Sequence, residues 1–295
     1  MAGIYRNQWY FLCKNVFRIL PDTIFHNVLG FIMHKRFKCS YKWMNINNPT
    51  TFSEKLQYLK THPAHPNEEI LTDKYKVRSF VKNILGEEYL IPLEGSGVYN
   101  DVDEIDFNSL PNEFVIKLTK GSGYNLICKD KSKLDIDKTK KILKSWLKVK
   151  PYYLSREPQY KGNSSLICEK MLEYNITDYK FFCFNGIPKF VELYIDRQGN
   201  HKKLFYDMNW VKAGFTTAND VCNLSIEKPK KLEQMKIVAE KLSKGISFVR
   251  VDLYIHNNQI YFGEMTFHPA GGYTPITPHE WEYKLGDMID LNYKG

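Results

Sequence analysis

The chain has 295 residues, 43% hydrophobic and 25% charged, which suits a globular protein with a sizeable core and room for two domains. Its net charge of +9 suits an anionic partner such as a nucleotide, an acidic glycan or an anionic lipid surface. The lysines are spread out and no nucleic-acid motif occurs, which argues against nucleic acid. The six cysteines form no C-x-x-C pair and read as reduced thiols of a cytosolic protein, and no apolar run is long enough to span a membrane.

Residues 4–37 interleave Tyr5, Trp9, Phe11, Phe17, Ile19, Phe25 and Phe31 with basic side chains. Arg6, Lys14 and Arg18 interrupt the apolar residues, so no signal-peptide pattern is read. One or two amphipathic helices are expected, broken near Pro21, with Asp22 or Thr23 as a fresh cap. They would pack on the main body or rest on an anionic membrane surface. Thr51-Phe52-Ser53-Glu54 opens a short helix to Lys60. His62 and His65 follow in a proline loop with no third ligand nearby, and are expected to be loop histidines. Thr72 is expected to cap a helix of about fourteen residues ending at Gly86. Asp73, Lys74 and Arg78 fall near its start, where they could face a ligand.

Tyr89–Leu93 reads as a short strand, and Asp101-Val102-Asp103 forms a D-x-D in an acidic connector. Glu113–Leu118, carrying Lys117, runs as a strand into Thr119-Lys120-Gly121-Ser122-Gly123, and Tyr124–Lys129 resumes it. Glycines let backbone N–H groups approach phosphate oxygens and lysines neutralise them. The loop lacks P-loop spacing and opens no helix, so it is neither a P-loop nor a dinucleotide fingerprint. Asp135 or Asp137 caps a helix to about Val149. Pro151–Ser165 is long for a connector and rich in polar and aromatic residues, a candidate ligand loop. Leu166–Leu172 is a buried strand admitting Glu169 and Lys170, and a carboxylate there needs a partner.

Asp178–Phe184, the turn Asn185-Gly186 and Ile187–Ile195 form a hairpin. His201–Asp207 is a further strand. Pro229–Lys244 is an amphipathic helix with Leu232, Met235, Val238, Ala239 and Leu242 inward. The stretch Phe248–Gly272 then carries the strongest signal. Val249, Val251, Leu253 and Ile255 share one face of a strand, and Arg250, Asp252 and Tyr254 the other. A three-residue loop, Asn257-Asn258-Gln259, is expected, because it sets Asp252 opposite Glu264 on the second strand. Two carboxylates at roughly 5 Å repel by about 3 kcal/mol at an effective dielectric near 20. A divalent cation reverses that sign, and hard oxygen ligands suit Mg²⁺. Gly271-Gly272 is expected to offer backbone donors near Glu264.

The order of these pieces carries a resemblance. Lys117 with Gly121 and Gly123 precedes Glu169–Leu172. Asp178 and Lys180 follow, then Arg250-x-Asp252, then Glu264-x-Thr266. The series resembles the ATP-grasp superfamily. The runs NPTTFSEKLQYLK, TDKYKVRSFV, DYKFFCFNG and GEMTFHPAGG are similar to its teichuronopeptide-biosynthesis-like branch, over about residues 45–290. The resemblance implies an α+β, ATP-grasp fold: two α+β lobes clasping ATP, with a helical N-terminal extension. The expected divisions are 1–66 (extension), 67–111 (pre-ATP-grasp segment), 112–172 (small lobe) and 173–295 (large lobe).

The resemblance further implies site roles. Lys117 would bind the ATP phosphates with Lys170 or Lys120 helping, and Gly121, Ser122 and Gly123 would close over them. The backbone of Glu169, Lys170, Met171 and Leu172 would meet the adenine edge, and Asp178 would take a ribose or polar role. Asp252 and Glu264 would hold Mg²⁺, as two ions. Thr266 stands where superfamily members often carry asparagine, which weakens it as a ligand. Arg250 would steady the transferred phosphoryl, Lys180 would assist, and His268 could accept a proton from the amine.

The implied chemistry is ATP-dependent carboxylate–amine ligation through an acyl phosphate. The acid would come from a uronic acid or other acidic sugar of a surface polysaccharide, the amine from an amino acid or amino compound. A cytoplasmic place, at the inner face of the membrane through the N-terminal helices, is expected. A competing reading is a sugar-nucleotide glycosyltransferase with Asp101 and Asp103 holding the metal, and another is a binding module that has lost catalysis. Under the ligase reading, Asp252→Asn and Glu264→Gln are each expected to stop turnover with the fold nearly intact.

Overall fold

The two-residue period of the strands sorts this chain into layers. The computed structural model describes residues 10–39, 41–195, 202–217 and 224–294. Tyr5, Trp9, His201 and Cys222 lie outside the described residues. The strands β1 (Leu93–Tyr99), β2 (Phe114–Leu118), β3 (Asn125–Cys128) and β4 (Leu166–Lys170) form an antiparallel sheet in the order β1-β4-β2-β3. A second sheet contains β5 (Asp178–Phe184), β6 (Ile187–Ile195), β7 (Lys202–Asp207), β9 (Phe248–His256) and β10 (Gln259–Thr266), in the order β10-β9-β5-β6-β7. The short strands β8 (Thr216–Thr217) and β11 (Ile276–Thr277) pair with each other.

Each sheet is covered by the helix its sequence supplies. Asp135, not Asp137, caps Ile136–Leu147 by accepting the Lys138 N–H at 2.9 Å, and this helix buries Leu143 over the four-stranded sheet. The helix Leu232–Ser243 turns Leu232, Met235, Val238, Ala239 and Leu242 onto the five-stranded sheet, as its periodicity predicts. There they meet Phe181, Cys183, Val249, Val251 and Leu253. The opposite face of the same strands begins as an aromatic cluster, Phe182, Phe184 and Phe248 with Phe52 and Phe205. Further along, that face carries Arg250, Asp252 and Lys180, with Lys180 paired to Asp252 across the ladder. One sheet face therefore passes from hydrocarbon to charge.

The hairpin β9–β10 differs from expectation in its loop. Asn257 and Asn258 alone close it, both left-handed with φ of 48° and 59°. Such a two-residue turn matches the twist of the flanking strands. Taken alone it would set Glu264 opposite Val251. Gly263 is an extra residue between the pairs Phe262–Leu253 and Glu264–Asp252, and this bulge restores the facing acids. The change of parity shows in the core: Ile260 and Phe262 are buried before the bulge, Met265 and Phe267 after it.

Other boundaries also move. Thr51 and Glu54 form a capping box at the head of Phe52–Leu59. Thr72 caps nothing and ends the helix Glu68–Thr72. Asp73 instead accepts the N–H groups of Tyr75 and Lys76 at 3.0 and 3.1 Å, and the next helix is Val77–Leu85. No strand forms over Tyr89–Leu93, where Glu87–Tyr89 is a 3-10 turn; β1 begins at Leu93, ahead of the expected small-lobe boundary, because it edges β4. The N-terminal helix Asp22–Arg36 begins with no side-chain cap from Asp22 or Thr23. His62 sits in a loop, stacked on Tyr58 with ring centroids 4.0 Å apart. The five described cysteines are free thiols. Among the described residues no helix is long and apolar enough to cross a membrane.

A Cβ on residue 263 would lie 2.8 Å from the Tyr254 ring and 3.0 Å from the Asp252 carbonyl oxygen. Gly263→Ala should therefore cost about 1–3 kcal/mol, as overpacking does, measured by urea unfolding. An unchanged midpoint would show that the bulge has room to spare.

Candidate active site

Between the two sheets lies a cleft of about 380 Å³. Its polar wall brings together residues far apart in sequence: Lys117 of β2, Gly121, Ser122 and Gly123 of the glycine loop, Lys170 at the end of β4, and Lys180, Asp252 and Glu264 of the large sheet. Its apolar wall is Ile91, Val115 and Ile127, with Met171 and Leu172 continuing from Lys170. Gly121 and Gly123 take φ of 99° and 76°, which frees the loop backbone to fold over the cleft. The partner that Glu169 requires is Lys117, at 2.6 Å, with Arg78 at 3.7 Å.

At the floor stands a buried charge network. Arg250 donates from Nε to Asp252 Oδ1 at 2.6 Å and from Nη2 to Asp252 Oδ2 at 2.8 Å. The same Nη2 reaches Glu264 at 3.0 Å and the Thr266 hydroxyl at 3.1 Å. Lys180 donates to Asp252 Oδ2 and lies 3.3 Å from Asp178. Lys74, from the turn after Thr72, stands 3.6 Å from Glu264 and donates to the Gly121 carbonyl at 3.1 Å. It ties the glycine loop to the acid pair. Burial acts to raise the Glu264 carboxyl, but the charges of Lys74, Arg250 and Lys180 outweigh it and hold the group well below the ordinary range. Burial acts to lower the Arg250 guanidinium, and Asp252 and Glu264 raise it instead. Asp252 is only 1% exposed, and there burial wins, leaving its carboxyl raised.

Two facing carboxylates and a hydroxyl are hard oxygen donors; Asp252 and Glu264 both line the cleft, Glu264 being the more exposed at 32% and Asp252 lying beneath it at 1%. Among the described residues no group of three His, Cys, Asp or Glu side chains could hold a metal unaided. Mg²⁺ usually takes only one or two carboxylates and completes its shell with water and substrate phosphates, so the donor set fits that ion beside a phosphate ligand.

A second cavity of about 280 Å³ shares Gly121, Ser122 and Glu264 with the cleft, and Arg250, Thr266 and His268 line it. His268 is 1% exposed. Its Nδ1 lies 3.1 Å from the Gln159 amide nitrogen, and its Nε2 is buried with no hydrogen-bond partner among the described residues. Burial, with the nearby charge of Lys60, keeps the ring neutral. His268, the expected proton acceptor, lines the second cavity rather than the cleft.

Lys120, Glu169, Asp178 and the Asp101–Asp103 pair are expected residues that stand outside the cleft wall. Lys120 is 1% exposed and spends its ammonium on Glu69 at 2.8 Å and the Lys161 carbonyl at 2.7 Å. Asp178, expected in a ribose or polar role, lies 3.3 Å from Lys180 and does not line the cleft. Asp103 pairs with Lys144 at 2.7 Å and Asp101 caps a 3-10 turn, so the D-x-D is a surface structure and the glycosyltransferase reading loses its metal pair. Gly271 donates its N–H to the His268 carbonyl, while the Gly271 and Gly272 carbonyls accept from Gln57, so this pair presents acceptors where donors are expected. Sequence reasoning missed Tyr174, Ile176 and the apolar wall; alternation within β2 and β3 was the one available signal for Val115 and Ile127.

A protein-family profile described as TupA-like ATPgrasp matches residues 54–290. No curated protein matches the chain. Similar solved structures include N5-carboxyaminoimidazole synthetase from Staphylococcus aureus with ADP, at 15% identity, 67% of this chain, 44% of that chain and a TM-score of 0.38. D-alanine–D-alanine ligase from Bacillus anthracis with ATP matches at 15% identity, 75% of this chain, 63% of that one and a TM-score of 0.40. L-amino acid ligase from Bacillus licheniformis matches at 11% identity, 92% and 57%, and 0.42. The chain spans less than two thirds of each of these proteins.

The network revises the expected outcome of two substitutions. Asp252→Asn removes the carboxylate that Arg250 and Lys180 share, and breaking such a buried pair costs about 3–5 kcal/mol. Glu264→Gln, at a side chain 32% exposed, should cost well under half of that. Equal unfolding midpoints for the two variants would contradict this division.

Proposed function

The chain belongs to the TupA-like ATP-grasp family, and from that premise we propose that it is an ATP-dependent carboxylate–amine ligase. One observation carries the reading: a glycine loop, four lysines and a facing acid pair, distant in sequence, line one cleft. A carboxylate oxygen of the first substrate takes the γ-phosphoryl of ATP, and ADP leaves. The amine nitrogen then attacks the acyl carbon. The C–N bond forms, the C–O bond to phosphate breaks, and phosphate departs with the bonding pair while the nitrogen loses a proton.

The protein's task is positioning and charge neutralisation. Lys117 and Lys170 bind the phosphates, and the Gly121–Gly123 amides cover them. Ile91, Val115 and Ile127 enclose the base, with the Lys170–Leu172 backbone at its edge. Mg²⁺, as a pair of ions, would be held by Asp252 and Glu264 with Thr266, and would supply charge neutralisation at the phosphates. Arg250, fixed by Asp252, faces the transferred group, and Lys180 holds Asp252 in place. A closed loop keeps water from the acyl phosphate.

The acid is that of a uronic acid or related sugar of a surface polysaccharide, and the amine that of an amino acid or amino compound. ATP places the reaction in the cytoplasm. Contact with the inner face of the membrane draws support from Phe11, Ile19 and Phe31, which are 62%, 80% and 54% exposed near Lys14, Arg18, Lys35 and Arg36.

Incubation with ATP, Mg²⁺, acidic sugars and amino acids should yield an amide product detectable by mass spectrometry, together with ADP. ADP without any amide across the panel would count against the ligase. Lys117→Ala should weaken ATP binding roughly ten- to hundredfold, the value of a charge-assisted hydrogen bond. Unchanged ATP affinity by calorimetry would remove that lysine from the site.

A further inference from the structure

The second cavity has a wall that the family match does not reach. Leu29 and Met33, on the helix Asp22–Arg36, line it together with Arg250, Glu264 and Thr266. That helix lies wholly outside residues 54–290. We propose that the N-terminal helix completes the active site, and that Leu29 and Met33 set the size of the amine substrate admitted there. The inference rests on the ligase reading and adds where the amine binds and what selects it.

The helix is strapped to the site. Arg156 donates to the Leu20 carbonyl at 2.9 Å, the Phe17 carbonyl at 2.8 Å and Asp22 at 2.5 Å, with the Phe25 ring 4.1 Å from its guanidinium. Arg156 belongs to the loop 151–165, and its φ of 53° turns the chain so that Glu157 and Tyr160 reach the cavity. His26 meets the Tyr273 hydroxyl at 2.5 Å, and Phe25, Leu29 and Tyr273 share one apolar cluster. Lys60 bonds the Ser155 and Gly271 carbonyls at 3.1 and 2.8 Å, tying the loop to the turn after His268. Helix, loop and turn thus enclose one space, which opens on the cleft at Gly121, Ser122 and Glu264.

The walls favour a donor over a second anion. Glu264, 32% exposed, lines the cavity as a carboxylate; Glu157 is 5% exposed and already accepts from Ser155 and Gln159, and the guanidinium of Arg250 meets Asp252 and Glu264. Burial and the neighbouring Glu157 keep the Tyr160 hydroxyl protonated. On the far side, Leu29, Met33 and Leu154 present hydrocarbon. The space therefore suits a compact primary amine with an apolar body, delivered beside the phosphoryl end of the nucleotide.

Met33 is half-buried and Leu29 is buried, so Met33 is the safer position to change. Met33→Trp fills the cavity and Met33→Ala widens it. The probes are glycinamide, L-alaninamide, L-leucinamide and ethanolamine, which carry an amine and no carboxylate, read by melting temperature of the Mg·ADP-loaded protein and by amine-dependent ADP release. Met33→Trp should raise the amine KM by about tenfold or more and leave the ATP KM within about twofold, whereas Met33→Ala should shift preference toward L-leucinamide. An unchanged amine profile in both variants overturns the proposal. So does a wild type whose melting temperature responds to none of the four probes. A wild type that binds these amines, loses them in Met33→Trp, and yet forms no amide supports the cavity assignment while the ligase reading fails.

Discussion

Asp252 is the residue on which the rest of the site depends. It is 1% exposed and bound by Arg250 through both oxygens and by Lys180 from the neighbouring strand. Burying such charges is expensive, and hydrophobic residues of equal volume would often stabilise a fold as well. This network sits on a face whose other half is a phenylalanine cluster, so hydrocarbon was available to the same strands. Keeping charge at one end fixes Arg250 in a single direction, and a fixed cation on the wall of the second cavity, bonded to an acid that both cavities share, suits chemistry in which phosphate charge is moved.

Much of this was legible in the sequence, and what was not has identifiable causes. Alternation in Val249–Ile255 gave the two faces of β9 correctly, and the polar set pointed to Asp252 facing Glu264. The route to that pairing was different. Asn257-Asn258 makes a two-residue turn, and Gly263 supplies the missing step as a bulge. A bulge is a property of how two strands pair, and no local pattern in 259–266 announces it. Similarly, Lys117, Lys120 and Lys170 look alike as sequence. Glu69 and Lys161 take Lys120, and both lie far from it along the chain.

The N-terminal segment illustrates a second limit. Its amphipathic character was readable, but its placement depends on Arg156 and Tyr273, more than a hundred residues away. The long loop after Pro151 was recognisable as unusual for a connector. Its short helical turns and the left-handed Arg156 place side chains at a wall whose other half comes from the helix Asp22–Arg36. Composition marks such segments as noteworthy, and only packing shows which neighbour each one finds.

Lys74 has two attachments, to the Gly121 carbonyl on the covering loop and to Glu264 on the large sheet. A single ammonium therefore joins the loop's resting position to the charge state of the acid beneath it. Any ligand that neutralises Glu264 weakens the hold on Lys74, and any ligand that draws Lys74 away leaves Glu264 more receptive to a cation. Linkage of this kind is reciprocal, so a cation at Glu264 and a displacement of Lys74 from the Gly121 carbonyl would each favour the other by the same factor.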